Sequence, residues 1–283
     1  MLTVLESIKL SSEYLKKKGI ESPRINAELL LAHILNCKRL DLYLSYDRPL
    51  NNDEITQYRD FIKRRGQFEP YQYIVGSVEF YGLKFEVNPS VLIPRPETEI
   101  LVEEIITQYK GSFNLQILDI GTGSGNIAVS LARYLTGAEI TATDISMEAL
   151  KVAENNAVIN KVENQIRFVA GDILKPDFNG SRFDIIVSNP PYVSENEFNA
   201  LKPELRVYEP RLALTDESDG LVYYRAIAAK AKSLLNDKGR LFFEIGEGHA
   251  EAVKLILEQN SFSEMKIKND YLHIKRVISG VKN

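Results

Sequence analysis

The segment from Leu115 to Tyr134 constrains the fold more than any other. Leu115 to Ile120 is a short apolar run, Gly121-Thr122-Gly123-Ser124-Gly125 follows it, and apolar positions at helical spacing continue from about Asn126 to Tyr134. Strand, glycine-rich turn and helix in that order open a nucleotide-binding βαβ unit, which requires a parallel sheet with helices on its faces. The turn itself narrows the ligand. A dinucleotide fingerprint needs glycine where the chain has Asn126, and a phosphate-binding Walker loop needs Gly-Lys-Ser or Gly-Lys-Thr. Asp119 also stands two residues before Gly121, where a pyrophosphate would lie. Like charges about 4 Å apart at an effective dielectric near 20 repel by about 4 kcal/mol.

A carboxylate at that point suits a cation. S-adenosylmethionine (SAM) carries an ammonium and a sulfonium and no phosphate. The next strand, Glu139 to Thr143, delivers Asp144 at its end, where a carboxylate can accept hydrogen bonds from both hydroxyls of a ribose. Strand Ile166 to Ala170 leads into Gly171-Asp172-Ile173, where Asp172 can accept from an adenine amine and Ile173 can pack on the ring. An isolated Asp after a strand also serves as a plain turn residue, but here three successive strands end in an acid.

The fourth strand, Asp184 to Val187, runs into Asn189-Pro190-Pro191-Tyr192. Two consecutive prolines cannot continue a strand, and they leave the carbonyls of Asn189 and Pro190 without ladder partners. The Asn189 side-chain oxygen and the Pro190 carbonyl can each take one hydrogen of a planar NH2 group, with Tyr192 as a flat wall beside it. Taken alone, the four residues also read as a tight exit from a strand. Their position in the same crevice as the acids favours an amine meeting a methyl donor. Downstream, a helix from about Gly220 to Leu235, strand Arg240 to Ile245, a helix over about Ala250 to Gln259, and strands Met265 to Ile267 and Ile274 to Ile278 complete seven strands. A doubly wound sheet closed by an antiparallel strand is expected.

Ahead of this lie helices from about Thr3 to Lys18, from Ser22-Pro23 with Ser22 as cap, and from about Asp53 to Arg65 with Asn51 and Glu54 at capping-box spacing. Tyr71 to Val87 turns aromatic and β-branched and reads as a hairpin. The domain expectation is therefore 1–70 helical and substrate-docking, 71–90 a hairpin linker, and 91–283 catalytic. Lys16 to Lys18 and Lys63 to Arg65 complement helix C-termini or meet an acidic or RNA-bearing partner. The acids of Glu97 to Glu99 sit in a first helical turn, where they serve the dipole. The single cysteine, Cys37, excludes a disulfide framework and reads as a core residue of a helical run. The net charge of −4 disfavours a nucleic-acid substrate mildly. No metal site is expected from the scattered His33, His249 and His273, and with no apolar span or leader pattern the expected compartment is the cytoplasm, without membrane contact.

With Arg95-Pro96-Glu97-Thr98-Glu99, Asp119 to Gly125, Asp144-Ile145-Ser146, Ser188 to Tyr192, Tyr208-Glu209-Pro210, Asp219-Gly220-Leu221 and Glu244-Ile245-Gly246 in view, the chain resembles the HemK/PrmC family. These are protein-(glutamine-N5) methyltransferases acting on peptide-chain release factors. The resemblance covers nearly the whole length. It implies an α/β fold, a seven-stranded SAM-dependent methyltransferase (Rossmann-like) sheet with a small N-terminal helical domain. It also implies SAM as donor, and as acceptor the glutamine of a Gly-Gly-Gln motif. On that basis Gly121, Thr122, Gly123, Ser124, Gly125, Asp144, Asp172 and Ile173 would hold SAM. Asn189 and Pro190 would hold the amide, and Pro191 and Tyr192 would border it; Asp119 joins the cofactor set by its charge, and Asn189 faces both ligands. The N-terminal helices would help dock the release factor. Two positions depart from the family pattern: His249, where glutamine is usual, and His273, where glycine is usual. The alternative enzymatic reading is methylation of an exocyclic amine of a DNA or RNA base, which presents the same geometry. A non-catalytic SAM-binding factor is the third, and the intact Asn-Pro-Pro-Tyr opposes it.

Overall fold

A computed structural model describes residues 2–175 and 182–283. Two compact units result, one reaching to Gly76 and also taking in Lys202–Tyr208, the other holding Ser77–Leu201 and Glu209–Asn283.

The first unit is helical: α1 Val4–Lys17, α2 Pro23–Ile34, α3 Asn52–Arg65 and α4 Tyr71–Val75. Thr3 with Glu6, and Asn51 with Glu54, form complete capping boxes at the starts of α1 and α3. Ser22 does not cap α2. Its φ is 48° and its side chain makes no cap hydrogen bond, so Pro23 alone marks that start. Val4, Ile8, Leu30, Leu31 and Tyr58 share one core. Cys37 lies beyond the end of α2 and packs half-buried against that core rather than within it. The basic clusters occupy the last turns of α1 and α3 as the dipole argument requires, but Arg65 is buried, 4% exposed. It donates to Asn26 at 2.7 Å and pairs with Glu204 at 2.6 Å, and Tyr208 donates to the Gln67 carbonyl at 2.7 Å. These bonds hold Lys202–Tyr208 within the helical unit. Tyr71–Val75, expected as part of a hairpin, is helical. Pro70 precedes it, Gly76 ends it at φ 75°, and burial of Tyr73 and Ile74 outweighs their strand propensity.

In the second unit the hairpin is confined to β1 Ser77–Phe80 and β2 Leu83–Glu86. Helix α5 Pro96–Tyr109 follows, then β3 Gln116–Ile120, α6 Asn126–Tyr134, β4 Glu139–Asp144, α7 Met147–Ile159, β5 Ile166–Ala170 and β6 Phe183–Ser188. The short helices α8 Glu195–Phe198 and α9 Arg211–Leu214 lead to α10 Val222–Leu234, β7 Leu235–Glu244, α11 Ala250–Gln259, β8 Phe262–Asn269 and β9 Lys275–Lys282. The seven-stranded sheet has the order β5-β4-β3-β6-β7-β9-β8, with β9 antiparallel to both neighbours and the rest parallel. Ile185 and Val187 face one apolar cluster and Ile186 the other, so β6 is covered on both faces. The order reverses between β3 and β6, and a crevice at the carboxyl ends of these strands is where such a sheet binds ligands. The turn joining β8 to β9 places His273 at φ 63°, a left-handed conformation that glycine adopts without strain, and the turn closes nonetheless through Asp270.

One buried side chain ties the hairpin to the glycine-rich turn. Asn156 on α7 is fully buried. It accepts from the Glu86 N–H at 2.6 Å and donates to the carbonyls of Glu86 and Ser124 at 3.0 and 2.9 Å. Asn156→Leu keeps the branching and the number of side-chain heavy atoms but strands these backbone groups, so it is expected to destabilise the chain by about 2 kcal/mol or more. A urea midpoint equal to that of the parent chain would refute this.

Candidate active site

Register places the site residues. Ile120 pairs with both Thr143 and Ser188, and Asp144 pairs with Ala170, so Gly121, Asn189 and Gly171-Asp172 leave the sheet side by side, next to Asp144. A cavity of about 390 Å³ lies there. Gly121, Gly123, Asp144, Asp172, Ile173, Asn189, Pro190 and Pro191 line it, as do Ser90–Leu92 and Pro210–Ala213, which sequence reasoning missed. Ser90–Leu92 is a connecting segment, and Pro210–Ala213 runs into the short helix α9. Asp119, Thr122, Ser124, Gly125 and Tyr192 do not line the cavity.

The glycine-rich turn has little left to offer an anion. The N–H groups of Gly121 and Thr122 donate to the Thr143 carbonyl at 2.8 and 2.9 Å, that of Gly125 to the Thr122 carbonyl at 2.8 Å, and that of Gly123 to Asp144 Oδ2 at 2.8 Å. Asp144 Oδ1 accepts from the Ser146 N–H at 2.9 Å, and each of its oxygens keeps lone pairs for a ligand. Asp119 is fully buried behind the turn. Oδ2 accepts from the Thr122 hydroxyl at 2.6 Å, and Oδ1 has no hydrogen-bond partner among the described residues. Burial, with Asp144 nearby, pushes its carboxyl up to about 7, and burial raises Asp144 as well. Asp172 accepts from the Leu174 N–H at 2.9 Å, and Ile173 is buried.

At the other wall, neither the Asn189 nor the Pro190 carbonyl accepts a backbone hydrogen bond among the described residues. The Asn189 side-chain nitrogen donates to Thr98 Oγ1 at 3.2 Å. Tyr192 turns its ring toward Gly246 and stands edge-on to His249, with centroids 6.4 Å apart. A Cβ at Gly246 would come within 2.8 Å of both Tyr192 Cδ2 and His249 Nδ1, so only glycine allows this packing. Burial pushes the Tyr192 phenol up to about 12.

Arg95, Thr98 and Glu99 each have a distinct task beyond the helix dipole. Arg95 pairs with the buried Glu209 at 2.5 Å, and Glu209 also accepts from the Ile93 N–H at 3.3 Å. Thr98 meets Asn189, and Glu99 accepts from the Tyr81 N–H at 2.7 Å. Beside Thr98 lies Glu244, 2% exposed, whose Oε2 has no partner among the described residues. Burial pushes Glu244 up to about 7. Hydrogen bonding from Thr98 and Asn189 and the charge of Arg276 oppose the rise, and Glu97 adds to it.

That shift has a sign. Between the ordinary value of 4.5 and about 7, the folded chain keeps a proton on Glu244 that the unfolded chain has lost. Stability from this group is therefore fully present below the lower value and is lost as pH rises through the upper one. Asp119 acts in the same direction. Glu244→Gln is expected to show a smaller fall in Tm than the parent chain between about pH 5 and about pH 7.5. An equal fall in both would remove Glu244 from the titrating set.

Residues 6–76 match the family described as PrmC N-terminal domain, and residues 96–205 the one described as Methyltransferase small domain. The chain is 43% identical over 285 residues to the release factor glutamine methyltransferase of Chlorobaculum tepidum, covering 98% of this chain and 96% of that protein. It is 41% identical over 276 residues to the enzyme of the same name from Bacillus subtilis, covering 95% and 94%. A 16S rRNA methyltransferase of T. thermophilus, solved in complex with AdoMet and guanosine, is similar with a TM-score of 0.53 over 73% of this chain and 50% of that one. At 20% identity that likeness concerns the fold alone. A seven-stranded methyltransferase sheet behind the cavity, and relatives this similar along nearly the whole length, show that the chain belongs to the release factor glutamine methyltransferase family.

Proposed function

We propose that this enzyme transfers the methyl group of SAM to the side-chain amide nitrogen of the glutamine in the Gly-Gly-Gln motif of peptide-chain release factors. The observation that carries the reading is that Asn189 and Pro190 line the same cavity as Gly121, Gly123 and Asp144. The residues fit SAM. The N–H groups of the turn are largely spent, Asp144 lines the cavity as a half-buried carboxyl and Asp119 lies fully buried behind the turn, neither with an ion-pair partner among the described residues, and Gly121 and Gly123, at φ 73° and 54°, have open space where a Cβ would stand. Asp144 would take the ribose hydroxyls, Asp172 the adenine amine and Ile173 the ring face.

SAM, when bound, supplies a methyl carbon made electrophilic by its sulfonium. Asn189 Oδ1 and the Pro190 carbonyl accept the two N–H bonds of the glutamine amide and turn its nitrogen toward that carbon. Transfer would join the methyl carbon to the amide nitrogen while the departing sulfur keeps the C–S electron pair, and the amide would give up one proton to solvent. Proline at 190 and 191 keeps both acceptors in place without reorganisation. Tyr192, packed on Gly246 and His249, supports this strand exit from behind. The N-terminal helices are the part proposed to dock the release factor, in the cytoplasm.

The test is incubation with radiolabelled SAM and, separately, release factors, ribosomal RNA and DNA, followed by mapping of the labelled residue. Label on the Gly-Gly-Gln glutamine is expected. Label only in nucleic acid would replace this reading with methylation of a base amine.

A further inference from the structure

Asn189 can hold an amide NH2 only if its own side chain faces the right way. The group has an oxygen that accepts and a nitrogen that donates, and a half-turn about its last bond exchanges them. With the oxygen toward the acceptor, Asn189 receives an N–H. With the nitrogen there, donor meets donor and the acceptor amide is repelled. Nothing in Asn-Pro-Pro-Tyr itself decides between the two.

Two buried residues outside that motif do decide. Thr98 is the third residue of α5, 1% exposed, and its Oγ1 accepts from Asn189 Nδ2 at 3.2 Å. A threonine hydroxyl has a single proton. The buried carboxyl of Glu244 lies close enough to Thr98 and Asn189 that both favour its charged form. Ser188 pairs with Phe243, so Glu244 leaves β7 at the level where Asn189 leaves β6. The polarity of the set follows. An ionised Glu244 carboxylate can only accept, so the Thr98 hydroxyl turns its proton toward it while the Thr98 oxygen accepts from Asn189 Nδ2, which keeps that nitrogen on a residue outside the cavity lining. Thr98 and Glu244 do not themselves line the cavity. Resting on the glutamine-amide reading above, we propose that Thr98 and Glu244 are positioning residues that set the facing of the Asn189 amide, presenting Oδ1 to the acceptor.

Valine in place of Thr98 keeps the shape and removes the hydroxyl. Thr98→Val is expected to lower kcat for release-factor methylation by about 10- to 100-fold, the range a misplaced catalytic group produces. The Kd for SAM should stay within about twofold, since neither residue touches the proposed SAM site. Thr98→Ser should restore most of the rate. Glu244→Gln, which can still accept from Thr98, should retain more activity than Glu244→Leu. A role in packing alone would instead lower Tm and SAM affinity together and would not respond to the hydroxyl. Thr98→Val with an undiminished kcat overturns the assignment.

A second readout needs no acceptor and no variant. In nitrogen-15 spectra of the parent chain, the side-chain NH2 proton of Asn189 that points at Thr98 should exchange slowly with solvent, and fast exchange of both protons overturns the assignment. Absence of glutamine methylation by the parent chain would defeat the proposed function, while the Asn189 protons would still report on this inference.

Discussion

Replacing Asn189 by alanine is expected to lower methyl transfer to release-factor glutamine by about 100- to 1000-fold, the cost of removing an acceptor that orients the reacting group. An amide nitrogen is a poor nucleophile because its lone pair is delocalised into the carbonyl. In the proposed arrangement its reactivity would depend on holding both N–H bonds so that the lone pair faces the methyl carbon. With Asn189 gone, the Pro190 carbonyl remains to hold one N–H, and the nitrogen is free to rotate about it. The cofactor end of the cavity keeps Asp144, Gly123 and Ile173, so the Kd for SAM should change by no more than about threefold. Single-turnover methylation with the release factor saturating separates the two quantities. An Asn189→Ala enzyme that turns over at more than about a tenth of the parent rate would show that the amide is oriented by other groups.

The complementary expectation concerns Asp144. Asp144→Ala should weaken SAM binding by about 10- to 100-fold, read by calorimetry. Hydrogen bonds to a charged group contribute about 1.5–3 kcal/mol, and each 1.4 kcal/mol is a factor of ten in affinity. Two losses add up. The ribose hydroxyls would lose the acceptor proposed for them, and the Gly123 N–H, now bound to Oδ2 at 2.8 Å, would lose its partner inside the turn. At saturating SAM the rate should recover toward that of the parent chain, which sets this variant apart from Asn189→Ala. A Kd within twofold of the parent value would remove Asp144 from the site.

Much of the architecture was legible because it rests on local periodicity and on punctuation. Short β-branched runs ending in Asp144, Asp172 and Asn189 identify parallel strands, and Pro23, Pro96 and the Asn51–Glu54 pair mark helix starts. Such signals depend on residues a few positions apart. Local reading failed where distant packing overrode it: Tyr71–Val75 became a helix, and Ser22 left its capping role to Pro23.

The motif residues by themselves determined the parallel sheet, the family, and which side chains gather at its carboxyl edge, because strand order and period bring Gly121, Asp144 and Asn189 to one line. Only the tertiary structure decided what stands behind them. Thr98 and Glu244 lie 91 and 55 residues from Asn189 in the chain, and Glu209 lies 114 residues from Arg95. Tyr192 packs on Gly246 and His249, and Lys202–Tyr208 belongs to the helical unit through the buried Arg65. The reason is physical: a buried polar group must find a partner, and the chain closes on whichever distant residue supplies it.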